Sequence, residues 1–180
     1  MWPFAWMAKC QRRDITYQFL NGVRMIDLRV RFRNGEPVIC HGIIEYKFTN
    51  GQLYDILDSL DYTGNYVRVV LETRKFDKNQ EAGFYFFCKR LEETFTHIKF
   101  FGGNNRADWL CQNPIYEFST PLPDIEHKYS STTSLFPNRN DKWRYIDDLC
   151  PWLYAKLNNH KNIVASKDHD WLMIDFVDIR

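Results

Sequence analysis

The sequence carries almost no excess charge of either sign and no long apolar run. Its 180 residues hold 24 Lys plus Arg against 23 Asp plus Glu, a formal net charge of +1 at pH 7. A chain this close to neutrality has no overall field that would draw it onto nucleic acid. No stretch approaches the roughly 18 apolar residues of a membrane span. We therefore predict neither a nucleic-acid partner nor a transmembrane segment.

Paired cysteines are also missing, and the opening residues do not have the pattern of a secretory leader. The five cysteines are scattered, with no CxxC pair, which argues against a disulfide framework or a zinc site. Free thiols favour a reducing compartment. The opening MWPFAWMAKCQRR is apolar before it is basic, the reverse of a signal peptide. The sequence as given predicts a cytoplasmic protein, whereas a signal segment upstream of Met1 would make it secreted.

The chain does contain ample core material and an alternation of strand and helix patterns. Hydrophobic residues make up 44% and aromatic residues 17%, which suits one domain over residues 1–180. We predict a short helix after Asp14, a turn at RNGEP, helices over NGQLYDILDSL and DKNQEAGFYFFCKRLEETF, and strands between them. This order is typical of an α/β fold.

Three predicted strands have charged residues at alternate positions. These are Asp27, Arg29 and Arg31 in RMIDLRVRF, Arg68, Glu72 and Arg74 in YVRVVLETR, and Asp175 in WLMIDFVD. The strands of a doubly wound sheet are apolar nearly throughout, because helices cover both faces. The interior of a barrel can become polar towards its C-terminal mouth. We therefore predict a (β/α) TIM-type barrel with these charges inside it.

The chemistry-bearing residues of these strands suit a phosphodiester. His41, in CHG, would join carboxylates and guanidinium groups around one mouth. Arginine's planar fork matches phosphate oxygens, and a histidine beside a carboxylate is a natural general acid.

Simpler interpretations stay open for each residue. Asp27 with Arg29, and Glu72 with Arg74, could be internal ion pairs that hold strands together. His41 could be a structural histidine with satisfied hydrogen bonds, and Asp175 could merely end a strand.

The segment CQRRDITYQFLNGVRMIDLRVRFRNGEPVICHG resembles the catalytic X domain of bacterial phosphatidylinositol-specific phospholipases C. The shared pattern is a Gln and Ile helix, a G-V-R leading into Asp-x-Arg, then a turn and a strand ending in His-Gly. The closing WLMIDFVD is similar to the last barrel strand of that family, and YVRVVLETR is similar to its fourth strand. The resemblance covers residues 2–75 and 171–178 best.

The resemblance implies a distorted barrel and a metal-independent, cofactor-free cleavage of a phosphodiester, with a phosphoinositide at a membrane surface as one candidate substrate. His41 would be the general acid, Asp27 would support it, and Arg29 would stabilise charge on the phosphate. Asp175 would orient the family's first histidine. Glu72 and Arg74 would contribute to substrate binding.

The family's first histidine, in a His-Asp-Ser or His-Asn-Ser segment on the first strand, has no counterpart here. We therefore expect an incomplete barrel that lacks its first strand, a chain that is a fragment, and little activity in it as given. One alternative is an inactive barrel of the same family that binds a phosphorylated ligand or partner. Another is the metal-dependent glycerophosphodiester or sphingomyelin-cleaving group, which usually has Glu-x-Asp where this chain has Asp27-x-Arg29.

Overall fold

The computed structural model divides the chain into two compact units, Met1–Val23 with Asp124–Arg180, and Arg24–Pro123. The residues that it describes are 11, 14–42, 44–47, 49–62, 64–73, 77–106, 108, 111–121, 152–153, 155–157 and 160. The single domain predicted for residues 1–180 is not tested by this division and stays a prediction. The strands predicted at NIVAS and WLMIDFVDI lie outside the described residues.

The first unit contains helix α1, Ile15–Leu20. Its N-cap is Asp14, whose carboxylate accepts a hydrogen bond from the Tyr17 amide at 2.8 Å. The helix ends at Asn21, and Gly22 follows with a φ of +92°. The predicted short helix after Asp14 is therefore confirmed.

The second unit contains two longer helices, both predicted from the sequence. Helix α2, Asn50–Leu60, begins with a capping box between Thr49 and Gln52. Helix α3, Lys78–Thr94, has Asp77 as its N-cap, and the Asp77 carboxylate accepts hydrogen bonds from the amides of the first turn. Both helices bury an apolar stripe, and in α3 it consists of Phe84, Phe87, Cys88 and Leu91.

The strands of the second unit form one mixed sheet in the order β3-β2-β1-β4-β5. Strands β1, β4 and β5 are parallel, and β2 and β3 continue the sheet antiparallel from β1. The bounds are Met25–Arg33 for β1, Glu36–His41 for β2, Ile44–Glu45 for β3, Tyr66–Leu71 for β4 and Lys99–Asn105 for β5.

The predicted TIM-type barrel, distorted and incomplete, is wrong: within the described residues the sheet is open. A (β/α) barrel needs parallel neighbours on both sides of each strand. Here β1 turns directly back into β2 through Asn34 and Gly35, whose φ angles of +51° and +83° suit a two-residue hairpin. The hairpin gives β1 an antiparallel neighbour on one side, so the sheet cannot be a ring of parallel strands.

The two faces of this sheet differ in polarity. The residues Leu28, Val30 and Phe32 of β1 lie on the apolar face, where Phe32 packs edge-on against Phe87 of α3 at 6.0 Å between ring centroids. Gly83 of α3 lies beside the same ring, where a Cβ would be 3.0 Å from Phe32. A helical layer on this face does not require the opposite face to be apolar, which is why charges can alternate along β1 without a barrel.

A bulge in β5 decides which of its residues join the second face. Val69 pairs with Gly102 but Val70 pairs with Asn104, so one extra residue, Gly103, is inserted. The bulge shifts the alternation of β5 by one position. Consequently Asn104 shares a face with Val70 and Arg68 of β4.

Candidate functional site

The second face of the sheet carries ionised side chains from two parallel strands. Asp27 aligns with Arg68, and Arg29 aligns with Val70, so alternation places them on one side together with Arg31 and Glu72. We call these five residues, Asp27, Arg29, Arg31, Arg68 and Glu72, the charged face. Arg68 is 1% exposed and Glu72 is 4% exposed, so the charged face does not simply meet bulk water.

Glu72 connects two arginines. One carboxylate oxygen, Oε1, lies 2.5 Å from Nη1 of Arg106, and the other, Oε2, lies 3.4 Å from Nη1 of Arg29. The Glu72 amide donates to the Val30 carbonyl at 2.8 Å, which continues the pairing of β4 with β1. This backbone bond fixes the carboxylate at the carboxyl ends of the parallel strands.

Asp27 is held between two guanidinium groups. Nε of Arg29 donates to Oδ2 of Asp27 at 2.8 Å, and Nη1 of Arg68 lies 3.7 Å from Oδ1. Burial alone would raise the pKa of the Asp27 carboxyl, but the two arginines, with His41, outweigh it and hold the pKa below its usual 3.8. The internal ion pair considered for Asp27 and Arg29 is thus present, while their catalytic roles stay predictions.

Arg31 belongs to a second ion-pair group near the end of β1. Its Nη1 lies 3.5 Å from Oε1 of Glu45, and the same oxygen accepts from Nε of Arg33 at 2.8 Å. Arg31 also donates through Nη2 to the Gly42 carbonyl. Strand β1 and the β2–β3 connection are therefore joined through one side chain.

A cleft of about 350 Å³ opens at the carboxyl ends of the parallel strands. Ligands of open α/β sheets commonly bind outside the carboxyl ends of the strands, and this volume is within the usual range for small-molecule sites. The residues that line the cleft are Arg31, Gly42, Glu72, Thr73, Asp77, Gln80 and Arg106.

His41 is the last residue of β2 and pairs with Ile44 of β3. Ile39 pairs with Val30, so alternation puts Cys40 on the side of the charged face and His41 on the other. His41 is nevertheless close enough to contribute to the lowered pKa of Asp27. Its proposed role as general acid stays a prediction.

Two predicted site residues, Arg74 and Asp175, lie outside the described residues. Of the other four, Asp27, Arg29 and Glu72 are joined by ion pairs, with Arg29 in the middle. The predicted pairing of Glu72 with Arg74 is not tested, and the partners observed for Glu72 are Arg29 and Arg106.

Arg106 is the principal residue that sequence reasoning missed. It follows β5, and its position beside Glu72 depends on the one-residue shift at Gly103. The signal was the Gly-Gly pair in FFGGNNR, because glycine inside a strand often marks a bulge. Counting alternate residues without that bulge puts Arg106 on the wrong face.

Fold and site together define an α/β domain with one helix-covered face and one face of interlocked ion pairs that ends in a cleft. Comparisons with protein-family models, with curated proteins and with solved structures find no match for this chain. Among the described residues no helix is long and apolar enough to span a bilayer, and no group of three or more His, Cys, Asp or Glu side chains could hold a metal ion.

Proposed function

We propose that the cleft binds the phosphate group of a phosphorylated ligand. One observation carries this proposal: two arginines from different parts of the chain, Arg31 and Arg106, line the same cleft, and each shares its carboxylate with another arginine. Glu45 is shared by Arg31 and Arg33, and Glu72 is shared by Arg106 and Arg29. A carboxylate divided between two guanidinium groups leaves donor capacity for an incoming anion.

The neutral residues of the cleft add hydrogen-bonding capacity. Thr73 accepts from Nδ2 of Asn105 at 2.7 Å, which leaves its hydroxyl hydrogen as a donor.

Asp77, the other carboxylate at the cleft, accepts from the amides of Asn79 and Gln80 and so serves as the cap of α3. Its negative charge is partly offset by the positive end of that helix.

Calorimetric titration with inorganic phosphate and with diethyl phosphate tests the proposal. We expect Arg106→Gln and Arg31→Gln each to weaken binding about tenfold or more, because a hydrogen bond to a charged group contributes about 1.5–3 kcal/mol. Arg106→Lys should fall between, since it keeps the charge beside Glu72 but loses the planar fork.

The matched control is Arg90→Gln, an exposed arginine of α3 that does not line the cleft. It removes the same charge and should leave the affinity almost unchanged. Equal loss in Arg90→Gln would mean that the anion responds only to net charge, and unchanged affinity in both cleft variants would refute the site.

The second candidate function is cleavage of a phosphodiester by acid–base chemistry of the phosphatidylinositol-specific phospholipase C type. The observation that favours it is that His41 ends β2 next to Gly42, which lines the cleft, and contributes to the lowered pKa of the Asp27 carboxyl. Such a histidine can give a proton to a leaving oxygen, and Arg29 beside Asp27 can stabilise charge on the phosphate.

Hydrolysis of bis(p-nitrophenyl) phosphate measures this second function. Whatever rate the unmodified chain shows, we expect His41→Asn to lower it, by up to about 10²–10⁴, the usual contribution of a general acid. His97→Asn is the control, because His97 is exposed and lies near Asp61 at the other ends of the strands. Equal rates in His41→Asn and the unmodified chain would remove His41 from the chemistry.

A further inference from the structure

At the end of β1, the side chain of Gln80 makes the two backbone hydrogen bonds that a neighbouring strand would otherwise make. Its Nε2 donates to the Phe32 carbonyl at 2.6 Å, and its Oε1 accepts from the Phe32 amide at 2.7 Å. A single side-chain amide therefore bonds both backbone groups of a residue 48 positions away. Two facing residues of an antiparallel pair exchange the same two bonds.

The direction of the Phe32 backbone explains why a side chain is used. Phe32 and Val30 are two residues apart in β1, so their peptide groups point towards the same edge of the strand. At Val30 that edge is bonded to the chain after β4, because the Glu72 amide donates to the Val30 carbonyl. The pairing of β1 with β4 runs only to Val30 and Leu71, and Gln80 bonds the edge two residues further on.

Gln80 is also anchored from the other side. It lies in the first turn of α3, where its backbone amide donates to the Asp77 carboxylate at 3.3 Å. The ring of Phe32 packs on the same helix, against Phe87 and beside Gly83. Helix α3 therefore contacts both parts of Phe32 at the end of β1: Gln80 bonds its backbone, and Phe87 and Gly83 lie against its ring.

The residue before Phe32 is Arg31, which lies on the charged face and lines the cleft together with Gln80. We propose that Gln80 is a positioning residue: its amide fixes the Phe32 peptide so that the Arg31 guanidinium faces the cleft, and phosphate binding depends on this bond. The inference rests on the proposed function.

Gln80→Glu tests the bond with almost no change in shape. A carboxylate has no donor for the Phe32 carbonyl, whereas a protonated carboxyl group supplies one donor and one acceptor, as the amide does. At neutral pH we expect the variant to bind inorganic phosphate about tenfold more weakly than the unmodified chain, because the Phe32 carbonyl loses its donor while the Phe32 amide keeps an acceptor. The defect should shrink as the pH falls and the new carboxyl group protonates.

Affinities are compared as the ratio of variant to unmodified chain at each pH, which cancels the titration of phosphate itself. Asn79→Asp is the matched control, since it makes the same amide-to-carboxylate change at an exposed position of the same turn. Its ratio should stay within about threefold of one at every pH. Gln80→Ala should bind weakly with a ratio that does not change with pH.

A ratio for Gln80→Glu that stays near one, or that does not recover in acid, would overturn the inference. A ratio near one for the uncharged Gln80→Ala would overturn it as well, because only the new charge at the cleft would then weaken binding. If the unmodified chain binds no phosphate, the proposed function fails and the dependence of binding on Gln80 fails with it. Hydrogen exchange at the Phe32 amide separates the two causes. Faster exchange in Gln80→Ala, which has no acceptor for that amide, would then show that the bond is present in the unmodified chain and that the ligand was wrongly assigned.

Discussion

At the scale of single residues, Asp27 shows how charge is kept on a largely buried strand face. Its carboxylate contacts Arg29 at 2.8 Å and Arg68 at 3.7 Å, and the pKa lies below the usual 3.8 although burial acts in the opposite direction. The folded state therefore favours the ionised form more than the unfolded state does. This contributes stability above the unfolded pKa, and the contribution is lost as the pH falls through the lower folded pKa.

We expect Asp27→Asn to lower the free energy of unfolding at pH 7 and to flatten its decline in acid below about pH 3.8. The physical reason is that asparagine cannot be neutralised by acid and cannot balance the two guanidinium groups. Urea unfolding of both chains between pH 7 and pH 2.5 measures the effect.

The control for Asp27→Asn is Asp55→Asn, an exposed position of α2. It should leave the acid dependence close to that of the unmodified chain. If Asp27→Asn loses stability in acid as steeply as the unmodified chain, the lowered pKa of Asp27 is contradicted.

The sequence predicted part of this residue-scale arrangement. Period-two alternation placed Asp27, Arg29 and Glu72 on a shared side, and ion pairs join them. Alternation could not place Arg106, because the face of a residue after β5 depends on whether the strand contains an extra residue. It also could not find Gln80, whose role comes from the docking of α3 on β1 rather than from any local pattern.

At the scale of elements, the β5 bulge depends on two glycines, Gly102 and Gly103, that lie against the backbone of neighbouring segments. Gly103 has a φ of +70°, and a Cβ there would lie 1.9 Å from the Tyr116 carbonyl oxygen. That contact is close because the amides of Ile115 and Tyr116 both donate to the Gly103 carbonyl, at 2.7 and 3.0 Å. The segment after β5 is thus bonded to the bulge itself.

We expect Gly103→Ala to cost on the order of 4 kcal/mol or more of unfolding free energy, which is in the range of severe single substitutions. The methyl group would combine an unfavourable backbone angle with a collision against backbone. Urea unfolding measures the loss.

Gly35→Ala in the β1–β2 hairpin separates the two causes. Gly35 has a φ of +83°, but a Cβ there would meet nothing within 4 Å. It should cost only about 1–2 kcal/mol, the cost of the left-handed conformation alone. Equal costs for the two variants would mean that the Tyr116 contact yields without strain.

At the scale of the whole molecule, the sequence predicted the elements of the sheet better than their arrangement. The helices after Asp14, Thr49 and Asp77 were found because the capping Asp14 and the helical spacing of apolar residues are local signals. The barrel was wrong because charged strand faces were taken to require an enclosed lumen. In the observed sheet those charges neutralise one another across β1, β4 and the residue after β5.

The hairpin at Asn34–Gly35, which could be predicted from the sequence, is incompatible with the barrel. A two-residue turn forces β2 to run antiparallel beside β1, and a ring of parallel strands has no place for it. The sequence predicted the turn, but the charged strand faces favoured a barrel interior, and the consequence of the turn for the topology was missed. Whether the resemblance to a barrel family reflects common function is addressed by the phosphate and phosphodiester measurements proposed above.

The single extra residue in the bulge at Gly102–Gly103 determines which face of the sheet each of the residues just after it occupies. If one glycine were deleted, the residues after it would keep their identities, yet the side chains of Asn104 and Arg106 would move to the opposite face of the sheet. Glu72 would then lose its 2.5 Å contact without any change to either of the two charged residues. The chemistry at that carboxylate is therefore encoded by a count of residues along β5 as much as by their identities.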